Sequence, residues 1–145
     1  LPISMLHWLD NMNESAIASV RLRFASFIPA IIWWGITFWL LTLPGSKVPA
    51  YPWMEYLAAD KWAHVFIFAV FCIAFCWPFK NTIISRVTRK RWFLAIALIG
   101  CGYGIAMEFV QKYYVINRAF ELGDILADTI GCAVGWWWGK NYALQ

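Results

Sequence analysis

Four long apolar runs alternate with shorter polar stretches along this chain. They cover about residues 24–43, 61–79, 92–110 and 122–138. A helix rises about 1.5 Å per residue, so runs of this length approach the roughly 30 Å thickness of a bilayer's hydrocarbon core. Two aspartates interrupt the fourth run. The pattern predicts an all-α fold, a polytopic membrane bundle of four transmembrane helices within residues 24–145.

The first 23 residues have a different pattern. Apolar and polar side chains recur there at helical spacing, so that one face of a helix is apolar and the opposite face is polar. The apolar face carries Met5, Trp8, Leu9 and Met12, and the polar face carries Ser4, His7, Asp10 and Asn11. The apolar part is too short to cross a bilayer, so it predicts an N-terminal amphipathic helix lying in the interface. Acidic residues precede the first long run, where a secretory signal has a basic leader, and we expect that run to be retained.

Composition supports a membrane protein. Of 145 residues, 62% are hydrophobic and 14% are charged, 11 are tryptophan, and the mean hydropathy is +0.59. That leaves too little polar surface for an ordinary soluble domain. The net charge of +4 does not indicate nucleic-acid binding, because the basic residues stand beside the apolar runs, as membrane topology requires. All four cysteines lie inside apolar runs without metal-finger spacing, which is typical of packing residues.

Basic residues flank the four runs unevenly. Eight lie on the side that holds both chain ends and the segment 80–91, and four lie on the opposite side. Short flanks rich in lysine and arginine stay in the cytoplasm. We therefore predict that both termini, the amphipathic segment and the basic segment face the cytoplasm. The start of the second run, the end of the third and the start of the fourth then lie at the outer face.

Polar and ionisable side chains occur at those three places. Such groups are costly in hydrocarbon, so they usually face a bundle interior or a wet cavity and often mark function. Glu108 and Gln111 are three residues apart, and Asp124 and Asp128 are four apart, so each pair shares one helix face. Asp60 also stands where it could be the N-cap of the second helix. The candidates for ligand binding are Asp60, Lys61, His64, Glu108, Gln111, Arg118, Asp124 and Asp128.

Glycines recur at four-residue spacing in the third and fourth runs. In membrane helices, small residues at this spacing mark surfaces where two backbones approach closely. We predict a helix-packing role, and not a ligand contact, for Gly100, Gly104, Gly131, Gly135 and Gly139.

Several kinds of chemistry are open to the polar set. Lys61 or Arg118 would take an anionic group such as a lipid phosphate or a peptide carboxylate, with Gln111 and the acids fixing its orientation. An enzyme would use Glu108 and His64 as acid and base, but the chain has no nucleophile motif, and catalysis stays open. A single histidine in the runs and no His-x-x-x-His pattern predict no metal and no cofactor. The remaining class is an accessory subunit of a larger membrane-protein complex.

The order of these residues resembles the VanZ-like family of small bacterial membrane proteins. The matching pattern, within about residues 60–139, is Asp60-Lys61-x-x-His64, Tyr103-Gly104-x-x-x-Glu108-x-x-Gln111, Arg118 and Asp124-x-x-x-Asp128-x-x-Gly131-x-x-x-Gly135. The family is named after a protein of glycopeptide-resistance clusters associated with low-level teicoplanin resistance. The resemblance implies a cell-envelope role in the bacterial cytoplasmic (inner) membrane, with an anionic envelope lipid or a peptidoglycan-related ligand. The chain departs from the family at Asp128, where asparagine is usual.

Overall fold

The computed structural model describes residues 24–47, 57–80, 82 and 84–142, and every regular element in these ranges is helical. The four α-helices are α1 (Ile28–Leu41), α2 (Ala59–Cys76), α3 (Arg86–Tyr114) and α4 (Leu122–Tyr142). Short 3₁₀ turns cover Phe24–Phe27, Gly45–Lys47 and Trp77–Phe79. The predicted all-α fold is confirmed. The predicted amphipathic helix of residues 1–23 lies outside the described residues.

Consecutive helices run in opposite directions. Lys61 at the start of α2 contacts Asp124 at the start of α4, so these two helices run parallel. Gln111 near the end of α3 donates to the carbonyl of Leu41 at the end of α1, at 2.9 Å. α4 packs mainly against α2 and α3, and α1 packs mainly against α2. The bundle therefore gathers the ends of α1 and α3 and the starts of α2 and α4 at one end, which we call the polar end.

Glycines let α4 approach its neighbours closely. A Cβ built on Gly131 would lie 2.5 Å from the carbonyl oxygen of Val65 in α2. A Cβ on Gly135 would lie 2.9 Å from the carbonyl oxygen of Ala69, one turn further along α2. Both distances are shorter than a real side chain tolerates, so the α2 and α4 backbones meet directly here.

The second helix begins differently from the sequence prediction. α2 starts at Ala59, and the residue before it, Ala58, has left-handed backbone angles with φ of 47°. Asp60 lies inside the first turn, and no side chain makes a capping hydrogen bond there. The prediction that Asp60 is the N-cap was therefore wrong, because the turn at Ala58 moves the helix start two residues towards the N-terminus. The carboxylate of Asp60 instead pairs with Lys61 at 2.8 Å.

The third helix extends further towards the basic segment than the apolar run suggests. It begins at Arg86 after Ser85, whose hydroxyl accepts from the backbone N–H of Thr88 at 3.1 Å. This is the hydrogen bond of an N-cap serine. Four of the five basic residues that the sequence places between runs two and three therefore lie on α3 itself. Of these four residues, Arg89 is buried, and its Nη2 donates to the carbonyl of Thr82 at 2.7 Å.

Two stretches of the described chain are long and apolar enough to cross a membrane. These are Ala59–Phe79 and Arg86–Tyr114, and Ala25–Leu41 is an apolar but shorter helical stretch. Length and composition alone define this property, which the core helix of a soluble protein can share. Four membrane spans therefore stay a prediction.

Candidate functional site

The polar end holds an unusual set of buried ionisable side chains. Among the described residues, His64 of α2, Glu108 of α3 and Asp124 and Asp128 of α4 are all at least nine-tenths buried. Lys61, one turn before His64, is partly buried beside them. Burying a charge is costly unless the charge is paired and hydrogen-bonded. The partners of each side chain therefore indicate what the set can do.

Lys61 is the cation at the centre of an acidic group. Its Nζ pairs with Asp60 at 2.8 Å, with Glu121 at 2.5 Å and with Asp124 Oδ1. Asp60 and Glu121 are about half exposed, whereas Asp124 is buried. An ammonium has three donors, and three carboxylates surround it here. Lys61 is therefore already neutralised by the protein and is not a free anion-binding group.

His64 lies between the two aspartates of α4. Its Nδ1 is 2.8 Å from Asp128 Oδ1, and its Nε2 is 3.8 Å from Asp124 Oδ2. Because a carboxylate only accepts hydrogen bonds, Nδ1 carries the proton and donates to Asp128. The distance of 3.8 Å is too long for a hydrogen bond between Nε2 and Asp124. In the neutral ring, Nε2 then presents a lone pair towards Asp124.

Glu108 links the end of α3 to the start of α4. Its Oε2 accepts from the backbone N–H of Glu121 at 2.9 Å, one residue before α4 begins. The first N–H groups of a helix lack partners within the helix, and negative charge near that end is favourable. Glu108 thus has a structural role in the turn as well as a place in the polar cluster.

Asp128 can sit under α3 only because Gly104 has no side chain. A Cβ on Gly104 would lie 2.5 Å from Asp128 Oδ2 and 3.0 Å from Asp128 Cβ. The glycine therefore leaves the space in which the Asp128 carboxylate meets His64. The sequence suggested that Gly104 only lets two helices pack closely. In the structure, Gly104 also makes room for a polar contact.

We expect Gly104→Ala to leave the bundle folded but to turn Asp128 away from His64. The nearest atom to the added methyl is the end of a flexible side chain, so the carboxylate can move where a backbone could not. Histidine ¹⁵N NMR should show that the Nδ1 hydrogen bond is weakened. Gly102→Ala is the matched control, because a Cβ there meets nothing within 4 Å. An unchanged His64 spectrum in Gly104→Ala would contradict this role.

Gln111 and Arg118 lie at the polar end but bind a different partner. Gln111 Nε2 donates to Leu41 O at 2.9 Å, and Arg118 Nε donates to Leu43 O at 3.4 Å. Helix C-termini leave carbonyl groups without helical partners, and these two donors reach carbonyls at the end of α1. Within the described ranges, Arg118 forms no ion pair with a carboxylate. Both candidates thus fasten α1 to the polar end instead of joining the acidic cluster.

Two overlapping sets of side chains at this end have the composition of a metal site. His64, Glu108 and Asp124 are all buried, and one ligand atom of each lies within 4.8 Å of the others. Asp60, Glu121 and Asp124 form a second set with the same spacing, and two of its members are exposed. Lys61 already occupies the second set as its cation.

Glu121 is the residue of this site that the sequence interpretation left out of its candidates. In the structure it pairs with Lys61, and its backbone N–H donates to Glu108. A signal was available, since Glu121 stands just before a predicted helix whose first turn also holds Asp124. Acidic residues cluster at such helix starts.

Comparison with known proteins decides the family. The sequence profile described as VanZ/LLP1 matches residues 10–141, nearly the whole chain. The chain belongs to the VanZ/LLP1 family. An uncharacterised protein of Schizosaccharomyces pombe is 36% identical to this VanZ/LLP1 chain over 75 residues, which is 52% of the chain and 43% of that protein. The match thus spans less than half of that relative's length. No solved structure matches.

Proposed function

We propose that this VanZ/LLP1 protein is a four-span protein of the bacterial cytoplasmic membrane, with both termini in the cytoplasm. Its helices expose many large apolar side chains, among them Ile32, Trp39, Phe66, Leu98 and Ile99. Soluble monomers rarely expose apolar surface of that extent, whereas lipid covers it in a bilayer. The basic residues at the start of α3 and Lys140 at the end of α4 lie at the end opposite to the polar end. The positive-inside rule then directs the polar end outwards.

We further propose that the polar end binds the phosphate-bearing head group of an envelope lipid or of a lipid-linked peptidoglycan precursor. One observation carries this proposal: three separate helices bury His64, Glu108, Asp124 and Asp128 together at one end of an apolar bundle. Ionisable groups at membrane depth are expensive and are retained mainly for function.

An apolar groove supports a lipid as the ligand. A cavity of about 290 Å³ between α1, α2 and α3 is lined entirely by apolar and aromatic side chains: Trp34, Phe71, Phe75, Ile96, Ile99 and Tyr103. Tyr103 directly precedes Gly104, against which Asp128 packs. An acyl or polyprenyl chain in this groove would start near the buried cluster. A lipid could therefore contact the apolar groove with its chain and the polar end with its head group.

The charge balance restricts how a phosphate could bind. Five carboxylates meet at the polar end, from Asp60, Glu108, Glu121, Asp124 and Asp128, and they face one lysine and one histidine. Lys61 is fully engaged, so a phosphate that entered alone would meet mainly like charge. Binding therefore needs a further positive charge, either Arg118, which forms no ion pair with a carboxylate among the described residues, or an added cation.

Native mass spectrometry of the protein purified in mild detergent tests the lipid proposal. We expect a polyprenyl phosphate and phosphatidylglycerol to be retained in preference to phosphatidylcholine. With a divalent cation present, Asp124→Asn should reduce retention, because this carboxylate would help to hold the cation that the phosphate contacts. Arg86→Gln at the opposite end is the control, because exposed basic residues also attract anionic lipids. Retention that falls with Arg86→Gln and not with Asp124→Asn would assign lipid binding to the basic end and overturn the proposal.

The orientation is tested by cysteine accessibility. In a background without the four native cysteines, a cysteine at position 116 should react with an impermeant reagent in intact cells. A cysteine at position 87 should react only after permeabilisation, because it lies beside the basic start of α3. Both native side chains are more than 60% exposed, so the labels have access to them. External labelling at position 87 would invert the topology.

A further inference from the structure

We propose that His64, Glu108 and Asp124 bind a divalent cation of the Mn²⁺ or Zn²⁺ class. One ligand atom from each residue lies within 4.8 Å of the other two, and all three side chains are buried. Each comes from a different helix. One imidazole nitrogen with two carboxylates is a donor set that these cations accept.

The histidine is held as a metal-binding histidine usually is. Nδ1–H donates a hydrogen bond to Asp128 Oδ1 at 2.8 Å, which fixes the tautomer and orients the ring. Nε2 then has a lone pair available for a metal, in a side chain that is only 8% exposed. Within the described residues, Nε2 makes no hydrogen bond, and it faces Asp124 Oδ2 at 3.8 Å. When the ring is neutral, this lone pair faces a carboxylate oxygen, and a proton or a metal cation between the two atoms would remove their repulsion.

The two carboxylates also have oxygens to spare for this purpose. Asp124 divides its oxygens, with Oδ1 on Lys61 and Oδ2 towards His64. Glu108 uses Oε2 for the N–H of Glu121, which leaves Oε1 for a second partner. Ligand atoms around a zinc-sized ion are on the order of 3 to 3.5 Å apart, given bonds of about 2.1 Å. Small side-chain movements would therefore close the set around an ion.

The neighbouring acidic set explains why the cation belongs at the buried position. Asp60, Glu121 and Asp124 already surround the ammonium of Lys61, and two of them are exposed to solvent. A metal there would have to displace Lys61. The set around His64 shares only Asp124 with Lys61, which pairs with the other oxygen of that carboxylate, and it offers the nitrogen ligand that the second set lacks.

A cation at this position would also supply the positive charge that a phosphate requires. Three protein ligands leave coordination positions open for water or for a ligand oxygen. The metal site rests on the three side chains and not on the lipid proposal. Protein that binds metal but no lipid would overturn the lipid proposal alone, and lipid binding without metal would overturn the metal site alone.

Manganese binding to the detergent-purified, chelator-treated protein tests the site without any lipid. Free Mn²⁺ is counted by electron paramagnetic resonance during a titration, and Zn²⁺ is added as a competitor. We expect one saturable Mn²⁺ per chain, displaced by Zn²⁺. His64→Gln and Glu108→Gln should each weaken binding by about tenfold or more. Asp60→Asn is the matched control in the other acidic set, and its affinity should stay within about twofold of the unaltered protein.

Two substitutions at Asp128 test whether this residue orients His64. Asp128→Ala removes the acceptor for Nδ1 and should weaken Mn²⁺ binding by about 10- to 100-fold. Asp128→Asn keeps an oxygen acceptor for the same proton, so its effect should be much smaller. Equal losses in the two variants would contradict the orienting role.

A spectroscopic signature keeps the test decisive even if a variant fails to fold. In a His7→Gln background, His64 is the sole histidine of the chain. Electron spin-echo spectra of bound Mn²⁺ should then show coupling to a directly bound imidazole nitrogen. Absence of saturable binding, bound Mn²⁺ without nitrogen coupling, or binding lost in Asp60→Asn but kept in Glu108→Gln would each overturn the proposal.

Discussion

Gly135→Leu is expected to remove most of the folded protein. A Cβ at this position already lies 2.5 Å from Cys72 Cβ and 2.9 Å from the carbonyl oxygen of Ala69. The obstacle is the neighbouring helix itself, so no side-chain rotation can relieve the clash. Overpacking of this kind costs on the order of 1 to 3 kcal/mol, and forced separation of α2 from α4 would also pull the polar end apart. The measurement is the yield of monodisperse protein and its thermal unfolding temperature.

Gly35→Leu in α1 is the control for that experiment. A Cβ at Gly35 meets nothing within 4 Å, so the same substitution adds apolar surface without a clash. Replacing a helical glycine also gains up to about 1 kcal/mol of helix propensity. We expect normal yield for Gly35→Leu. Equal yields for the two variants would mean that α2 and α4 do not meet at Gly135.

Glu108→Gln is expected to keep the fold and lose the function. The amide oxygen of glutamine can still accept from the N–H of Glu121, so the turn between α3 and α4 keeps its hydrogen bond. The change removes one of five negative charges at the polar end, which relieves repulsion from Asp124 and Asp128. The lost charge–dipole interaction with α4 is worth about 0.3 to 1 kcal/mol. Stability should therefore change little, while binding of a cation or of a lipid phosphate should fall strongly.

The sequence predicted the helices well because the physics that places them is local. Apolar runs of helical length gave the order of the four helices, and the all-α fold is confirmed. The VanZ-like pattern is likewise confirmed by the family match. Boundaries were less accurate where short-range geometry decides them. α2 begins at a left-handed Ala58, and α3 begins at the serine cap before Arg86.

The contacts of the polar end were less predictable because they join residues far apart in the chain. Helical spacing placed Asp124 and Asp128 on one face, but it did not show that His64 lies between them. Gln111 and Arg118 looked like ligand-binding groups, yet they reach the end of α1, about 70 residues away in sequence. Only the packing of the bundle determines which unsatisfied carbonyls come within reach of these donors.

The expectation of no metal rests on a pattern that could not detect the site proposed above. It depended on the absence of a His-x-x-x-His pattern, which detects ligands that share one helix. The ligand set proposed here takes one residue from each of three helices, so no spacing within a single helix reveals it. The acidic excess also changes the interpretation of Lys61, which appears from the sequence as an anion-binding group and is surrounded by carboxylates in the fold.

The most direct test of the polar end as a binding site compares the unaltered protein with Glu108→Gln in one experiment. Thermal unfolding and retention of a polyprenyl phosphate are measured on the same detergent-purified samples. A binding site predicts unfolding temperatures that agree closely, together with lipid retention that is lost in Glu108→Gln. If Glu108→Gln unfolds as readily as Gly135→Leu, or retains the lipid as well as the unaltered protein does, the buried cluster only holds the helices together.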